Sequence, residues 1–399
     1  MGRLSFKVGE KLKNLSIMDI AVFSFVLGLF VFENATYSVL FQLIQSLFVG
    51  IVLLHTLLQR KVVASHVFAW LGIFFFASCI ILVINLSNAD NGTMSIIIKN
   101  IVRCICLTIY VTSERDYKKM ISFIAVSGVV CSVFILSEFL ASGMDFSDLR
   151  YASDDRIGAS IAGGNVNIVA MNMSFSFPAW LYILKGCKTK KQKLCCVIAI
   201  VFTVGTSLLT GTRKLLLFYI AVFAIYVFLS GSIRLKKIFV GMLVLAVAYY
   251  CILNIEPLYY LIGHKIDFMG DSNAAHMYDQ SDSIRDNLIR GGMEIFYDHP
   301  ILGIGFGGTS KVLGMYAHNN FVEMLACGGF IGFTIYYSLY AYILIKSAVY
   351  RKKDPVALYI FASVVGLCVL EFFQITYLYG MPWVFLALAG TYCEKLNCR

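Results

Sequence analysis

A charged side chain set in or beside a membrane-length apolar run is costly to place and tends to be functional, so the arginines come first. Arg213 stands in Thr210-Gly211-Thr212-Arg213-Lys214, a polar break between two apolar runs. A guanidinium donates two parallel hydrogen bonds from a planar fork, and that geometry suits a phosphate group. The plainer reading is an interfacial arginine that snorkels to water. Arg285 and Arg290 are five positions apart on a predicted helix, so they point to different faces and cannot easily grip one phosphate together. Asp286 and Glu294 nearby make a solvated surface helix the alternative. His318 precedes Asn319-Asn320-Phe321-Val322-Glu323 at a predicted helix start. The partial positive charge of a helix N-terminus holds an imidazole neutral, the form a general base needs. The alternative is an interfacial histidine that caps the helix. Asn165 and Asn167, in Gly163-Gly164-Asn165-Val166-Asn167, open an apolar run with polar groups and either glue helices together or line a cavity. Asn319, Asn320 and Glu323 are further candidates for a substrate cavity. Trp383 and the tyrosines offer stacking surfaces. Four histidines fall between residues 256 and 318, at spacings that match no metal site, so neither a metal nor another cofactor is expected.

The elements that carry these residues are apolar helices. The chain is 59% apolar and 14% charged, against about 25% charged for a soluble protein. Apolar runs cover roughly 16–33, 37–58, 66–86, 95–112, 120–141, 161–184, 194–211, 213–230, 238–255, 319–346, 356–376 and 377–393. Runs of about 20 residues cross a hydrocarbon core, and there each must be a helix that satisfies its own backbone. The first run follows a basic stretch without a small-residue cleavage site and reads as a retained helix. The reading is an all-α integral membrane protein, one polytopic domain over 1–399, with about twelve spans and one large outer loop at 256–318. That loop should contain a helix starting near Ile284 behind a Ser283 cap and ending before Pro300, followed by the turn-rich Gly303-Ile304-Gly305-Phe306-Gly307-Gly308 run.

Charge sets the orientation. With both termini in the cytoplasm, 23 of the 33 Lys and Arg fall inside and 8 outside, leaving Lys99 and Arg103 within a span. The net charge of +10 is therefore a topology signal. No basic folded domain exists to bind nucleic acid, and no GxxxxGK[ST] run exists to bind ATP. The twelve cysteines avoid the 142–160 and 256–318 loops and form no CxxC pair, so no disulfide framework or zinc site is expected.

Four segments, in order, resemble the O-antigen polymerase and O-antigen ligase superfamily of bacterial envelope glycosyltransferases. They are Gly164-Asn165-Val166-Asn167, where the family usually shows Asn-Pro-Asn and this chain has Val166; Gly211-Thr212-Arg213; Arg285 followed by His299-Pro300-Ile301-Leu302-Gly303-Ile304-Gly305; and Ala317-His318-Asn319-Asn320-Phe321 with Gly328-Gly329. The resemblance implies a GT-C-like fold in the bacterial cytoplasmic (inner) membrane. It also implies a transfer from an undecaprenyl-pyrophosphate-linked oligosaccharide donor outside that membrane. Arg213 and Arg285, with Arg290 as a further candidate, would hold the pyrophosphate, and His318 would be the base. The family is regarded as needing no metal. The acceptor is a second lipid-linked repeat unit in a polymerase and lipid A core in a ligase; the polymerase is preferred. Membrane lipid and a chain-length regulator protein are the further partners implied. From another class, a lipid-linked oligosaccharide flippase or transporter would show an internal repeat and midplane charges, and neither is evident.

Overall fold

The computed structural model describes residues 15–33, 38–59, 64–88, 90–114, 116–143, 165–212, 214–229, 239, 246, 249–256, 259 and 272–397, with backbone alone at 38, 59, 114, 272–282 and 397. The helices are α1 (Ile17–Val31), α2 (Ser38–Gln59), α3 (His66–Ile84), α4 (Asn91–Glu114), α5 (Tyr117–Ser142), α6 (Val166–Ser174), α7 (Ser176–Gly186), α8 (Lys190–Leu209), α9 (Lys214–Phe228), α10 (Ser272–Asp298), α11 (Gly308–Leu313), α12 (Asn320–Tyr350), α13 (Pro355–Glu371) and α14 (Gly380–Asn397). Among the described residues there is no strand. Among the described residues, seven helical stretches are long and apolar enough to cross a membrane, and α1, α9 and α13 are shorter apolar helices. The chain is thus an all-α membrane protein. The expected span at 238–255 lies mostly outside the described residues.

The chain divides into two units. The first comprises Met1–Lys61, Glu114–Ile266 and Ala348–Gly366. Its α1 starts with a capping box, in which Ser16 Oγ accepts from the Asp19 N–H and the Asp19 carboxylate accepts from the Ser16 N–H, both at 3.0 Å. Asp19 is fully buried and is paired by Lys119 Nζ at 2.9 Å, which answers the cost of a buried charge. The span expected at 161–184 is the apolar stretch Val166–Gly186, within which a turn at Phe175 divides α6 from α7. Ser176 there donates to the Ala125 carbonyl at 3.0 Å, and only a glycine at 128 admits it, since a Cβ would sit 2.2 Å from its hydroxyl.

The second unit comprises Val62–Ser113, Asp267–Ser347 and Leu367–Arg399. Its centre is aromatic, with Trp70, Phe74, Tyr336 and Trp383 in mutual ring contact. Trp383 is 1% exposed and its indole N–H donates to the Tyr377 carbonyl at 2.6 Å, so it serves this core instead of offering a stacking face to sugars. Arg103 is tolerated in α4 because its guanidinium donates to the Asn100 side chain at 2.8 Å.

The unit's main feature is a broken helix. At Gly329, α12 takes φ 59° and ψ −166°, a region open only to glycine. Such a break frees backbone groups that no lipid can satisfy. The segment 300–305 satisfies them as a strap. Ile304 and Gly305 N–H donate to the Ala326 and Cys327 carbonyls at 3.0 and 2.9 Å, and Phe330 and Ile331 N–H donate to the Pro300 and Ile301 carbonyls at 2.8 and 3.2 Å. A Cβ on Gly303 would lie 2.5 Å from the Ala326 oxygen, and one on Gly329 would lie 2.4 Å from the Ile301 carbonyl. Beyond the strap, the Asp90 N–H donates to the Phe306 carbonyl at 3.1 Å. The Asp90 carboxylate caps α4 through Thr93, and the Thr93 side-chain and backbone bonds hold it below the usual carboxylate range.

Gly303→Ala and Gly329→Ala should therefore both destabilise the protein strongly. The backbone conformation alone costs about 1–3 kcal/mol for a non-glycine residue, and the clash adds to it. Gly314 also has a positive φ, 79°, but faces open space, so Gly314→Ala should be the milder control. Membrane accumulation and detergent melting curves of the three variants check the order. Equal behaviour of all three would contradict the strap.

Candidate functional site

The site is built where α10, α11 and the start of α12 meet within the second unit. Arg285, Leu288, Gly292 and Ile295 recur at helical spacing and share one face of α10. Leu288 and Ile295 are buried, and Ile295 packs with Ile304, Ala326 and Leu313. Gly292 lets α10 approach the start of α12, since a Cβ there would lie 2.7 Å from Val322 Cγ1 and 3.4 Å from Ala317 Cβ. Arg285 sits two turns earlier on that face, exposed, and close enough for its charge to act on the Tyr316 phenol. Burial pushes that phenol above its usual value; Arg285 pulls it down and Glu323 pushes it up. Arg290 is exposed and rotated by about 140° from Arg285 around the helix. The structure separates these two arginines, and Arg285 alone shares the face that packs on the His318 region.

His318 is the one described non-glycine residue with a positive φ, at 54°. A left-handed backbone costs about 1–3 kcal/mol and persists only where its surroundings fix it, so it points to function. Its half-buried ring lies 4.4 Å from the Tyr316 ring, and Nε2 is 3.2 Å from Met315 Sδ. Arg285, Tyr316 and His318 thus form one neighbourhood. The helix start was expected near 318, and α12 begins at Asn320.

The polar residues after His318 hold the protein together. Asn319 is the N-cap: its Oδ1 accepts from the Phe321 and Val322 N–H groups at 3.0 and 3.2 Å. Asn320 is fully buried. Its amide donates to the Tyr337 hydroxyl at 2.9 Å, and its oxygen accepts from the Thr376 and Tyr377 N–H groups at 2.8 and 3.3 Å. Tyr337 and Tyr340 then donate to the Glu371 carboxylate at 3.1 and 2.6 Å. Glu323 is 1% exposed and accepts from Thr309 Oγ1 at 2.6 Å and from the Ala317 N–H at 2.9 Å. Sequence offered Asn319, Asn320 and Glu323 as cavity residues; in the structure their acceptor oxygens are taken up in fixing segments around His318. Tyr316, Thr309 and Glu371 were missed, because nothing in a single sequence marks a polar residue whose partner lies far along the chain. Ser283, expected to cap the loop helix, lies inside α10, which begins at Ser272.

In the first unit, Asn165 precedes α6 without making a side-chain cap bond. Asn167 Oδ1 accepts from Thr212 Oγ1 at 3.4 Å, so the Asn-Val-Asn and Gly-Thr-Arg segments meet there. Arg213 itself lies outside the described residues, as do Asp145, Asp148, Asp154 and Asp155. Among the described residues no three His, Cys, Asp or Glu form a group that could hold a metal ion. A cavity of about 390 Å³ lined by His66, Trp70, Tyr342, Lys346 and Glu394 lies toward the other end of α12. Lys346 lies beyond the Gly329 break, on the far half of α12 from His318. That cavity is not part of the site.

Residues 198–337 match the family described as O-Antigen ligase. That range contains Arg213, Arg285, His318 and the strap. A similar protein is the Teichuronic acid biosynthesis protein TuaE of Bacillus subtilis (strain 168), 26% identical over 192 residues. The match covers 45% of this chain and 39% of that protein, so it spans about two fifths of the relative's length. Together the match and the relative support the assignment of this chain to the O-antigen ligase/polymerase superfamily.

Proposed function

We propose that this chain is a membrane glycosyltransferase of polysaccharide biosynthesis. In this reading it polymerises repeat units carried on undecaprenyl pyrophosphate. The observation that carries the reading is that the His318 ring packs on Tyr316, a phenol on which the Arg285 charge also acts, beside a helix start fixed by buried hydrogen bonds. In the proposed reaction the acceptor sugar hydroxyl attacks the anomeric carbon of the donor. His318 takes the hydroxyl proton, and the anomeric C–O bond to pyrophosphate breaks. Charge then builds on the leaving oxygens, where a preorganised guanidinium stabilises the transition state more than the ground state. Arg285 supplies one such group and Arg213 is proposed as the other. Arg290 is left as a weaker candidate by its position on the opposite side of α10. No step is assigned to a metal.

The second reading is a ligase, which would use lipid A core as acceptor; the family description names a ligase and the relative's name a polysaccharide biosynthesis, and both fit either reading. Deleting the gene separates them. Polymerase loss should leave single repeat units on the surface lipid, whereas ligase loss should strand long chains on undecaprenyl pyrophosphate.

The proposed setting is the bacterial cytoplasmic membrane, with about twelve spans in a GT-C-like arrangement, both termini inside and 256–318 outside. The 23-to-8 split of Lys and Arg supports it. Cysteines introduced at 190 and 275 of the intact chain should respond oppositely to a membrane-impermeant thiol reagent in spheroplasts, with 275 labelled and 190 protected. The reverse pattern would overturn the orientation.

A further inference from the structure

The residue just before His318 is held by a side chain one helical turn beyond it. The Ala317 N–H donates to Glu323 Oε2 at 2.9 Å, and Thr309 Oγ1 donates to Glu323 Oε1 at 2.6 Å. Both atoms of one carboxylate are thus used to clamp the 309–317 segment onto the first turn of α12. Ala317 is fully buried, and Gly292 of α10 closes over Ala317 and Val322, so the clamp cannot shift without moving packed neighbours. Directly after it, His318 takes its left-handed φ of 54°. Asn319, on the other side, is fixed by capping the helix. The peptide carrying His318 is therefore held from both flanks.

We propose that Glu323 is a positioning residue: its carboxylate fixes the Ala317 peptide and so aims the His318 imidazole. This rests on the reading of His318 as the base. Glu323 itself is buried and does not reach substrate. A supporting side chain that misplaces a reacting group by about 1 Å can cost about 10²-fold in rate.

The test uses the full chain in membranes with Glu323→Gln, Glu323→Asp and Glu323→Leu. Gln keeps an oxygen for the Ala317 N–H and turns its amide to Thr309, whose hydroxyl then accepts. Asp is one methylene short of reaching both partners. Leu keeps volume and removes both bonds, together with the longer ones that Glu323 Oε1 accepts from Tyr377 and Cys327 at 3.5 Å. Two readouts are taken. The first is the rate at which diethyl pyrocarbonate modifies His318, measured by peptide mass spectrometry against His66 in the same chain. The second is kcat and KM for chain elongation. Leu, and Asp where Leu does not accumulate, should change the His318 modification rate several-fold. They should lower kcat by about 10- to 100-fold with KM little changed. Gln should stay within about twofold of wild type on both, because it preserves the geometry without the charge. An unchanged His318 modification rate in Leu or Asp overturns the positioning role, whatever the activity. Loss in Gln equal to that in Leu overturns it as well. Activity in His318→Ala would remove the base reading alone and leave the modification result to judge the clamp.

Discussion

His318→Ala is expected to abolish visible polysaccharide chains while the protein accumulates normally in the membrane. The imidazole is only half-buried, with its ring against Tyr316 and Nε2 against Met315. Its loss should cost little stability. Histidine is several-fold enriched in the left-handed region, so alanine at φ 54° should add up to about 1 kcal/mol of backbone strain, which is small beside the stability of the packed unit. Loss of a general base typically costs about 10²–10⁴-fold in rate. Gel ladders of surface polysaccharide, beside a blot for the chain, check it. Normal ladders at normal abundance would remove His318 from the chemistry.

The second large effect separates the arginines. Arg285→Lys keeps the charge and loses the planar fork. One lost charge-assisted bond is worth about 1.5–3 kcal/mol, or roughly ten- to a hundredfold in rate. Arg285 is exposed and not part of the packed core, so that loss should appear as activity and not as abundance. Arg213→Lys is expected to follow it. Arg290→Lys is the comparator. It lies about 140° around α10 from Arg285 and should stay within about twofold of wild type. Elongation rates at matched protein levels decide. Equal losses at 285 and 290 would mean that α10 does not present one face to the substrate.

The fold was legible where bilayer physics leaves one choice. A run such as 66–86 is too long and too apolar for anything but a spanning helix, and α3 occupies His66–Ile84. Helix ends moved by a few residues, because lipid and interface set them as much as sequence does. The breaks were not legible. Gly329 reads like any glycine in an apolar run until the strap, some 26 residues earlier by Gly303, is seen to take over its backbone partners. Likewise, the Pro-apolar-apolar-Gly-apolar-Gly run marked something uncommon without saying that it stitches a broken helix.

The candidate site was legible in part for the same reason. Helical spacing alone set Arg285 and Arg290 on different faces, and the packing at Gly292 then shows which face turns inward. By contrast, a polar side chain in an apolar segment looks the same whether it lines a cavity or is bonded inside a core. Asn320 and Glu323 were read as the first and are built as the second, with partners at 376, 377, 309 and 317. The tie from Tyr337 to Glu371 crosses 34 positions, a separation at which sequence spacing carries no signal.

The central claim is that this chain joins lipid-linked glycans by using His318 as base. The most direct measurement is made with the purified chain in lipid vesicles given undecaprenyl-pyrophosphate-linked repeat unit. Elongated lipid-linked products and released undecaprenyl pyrophosphate are followed together over time. The account predicts one undecaprenyl pyrophosphate released per linkage formed, with both signals lost in His318→Ala and sharply slowed in Arg285→Lys. Elongation that proceeds at the wild-type rate in His318→Ala, or a wild-type chain that forms no linkage from this donor under conditions where it remains folded, would contradict it.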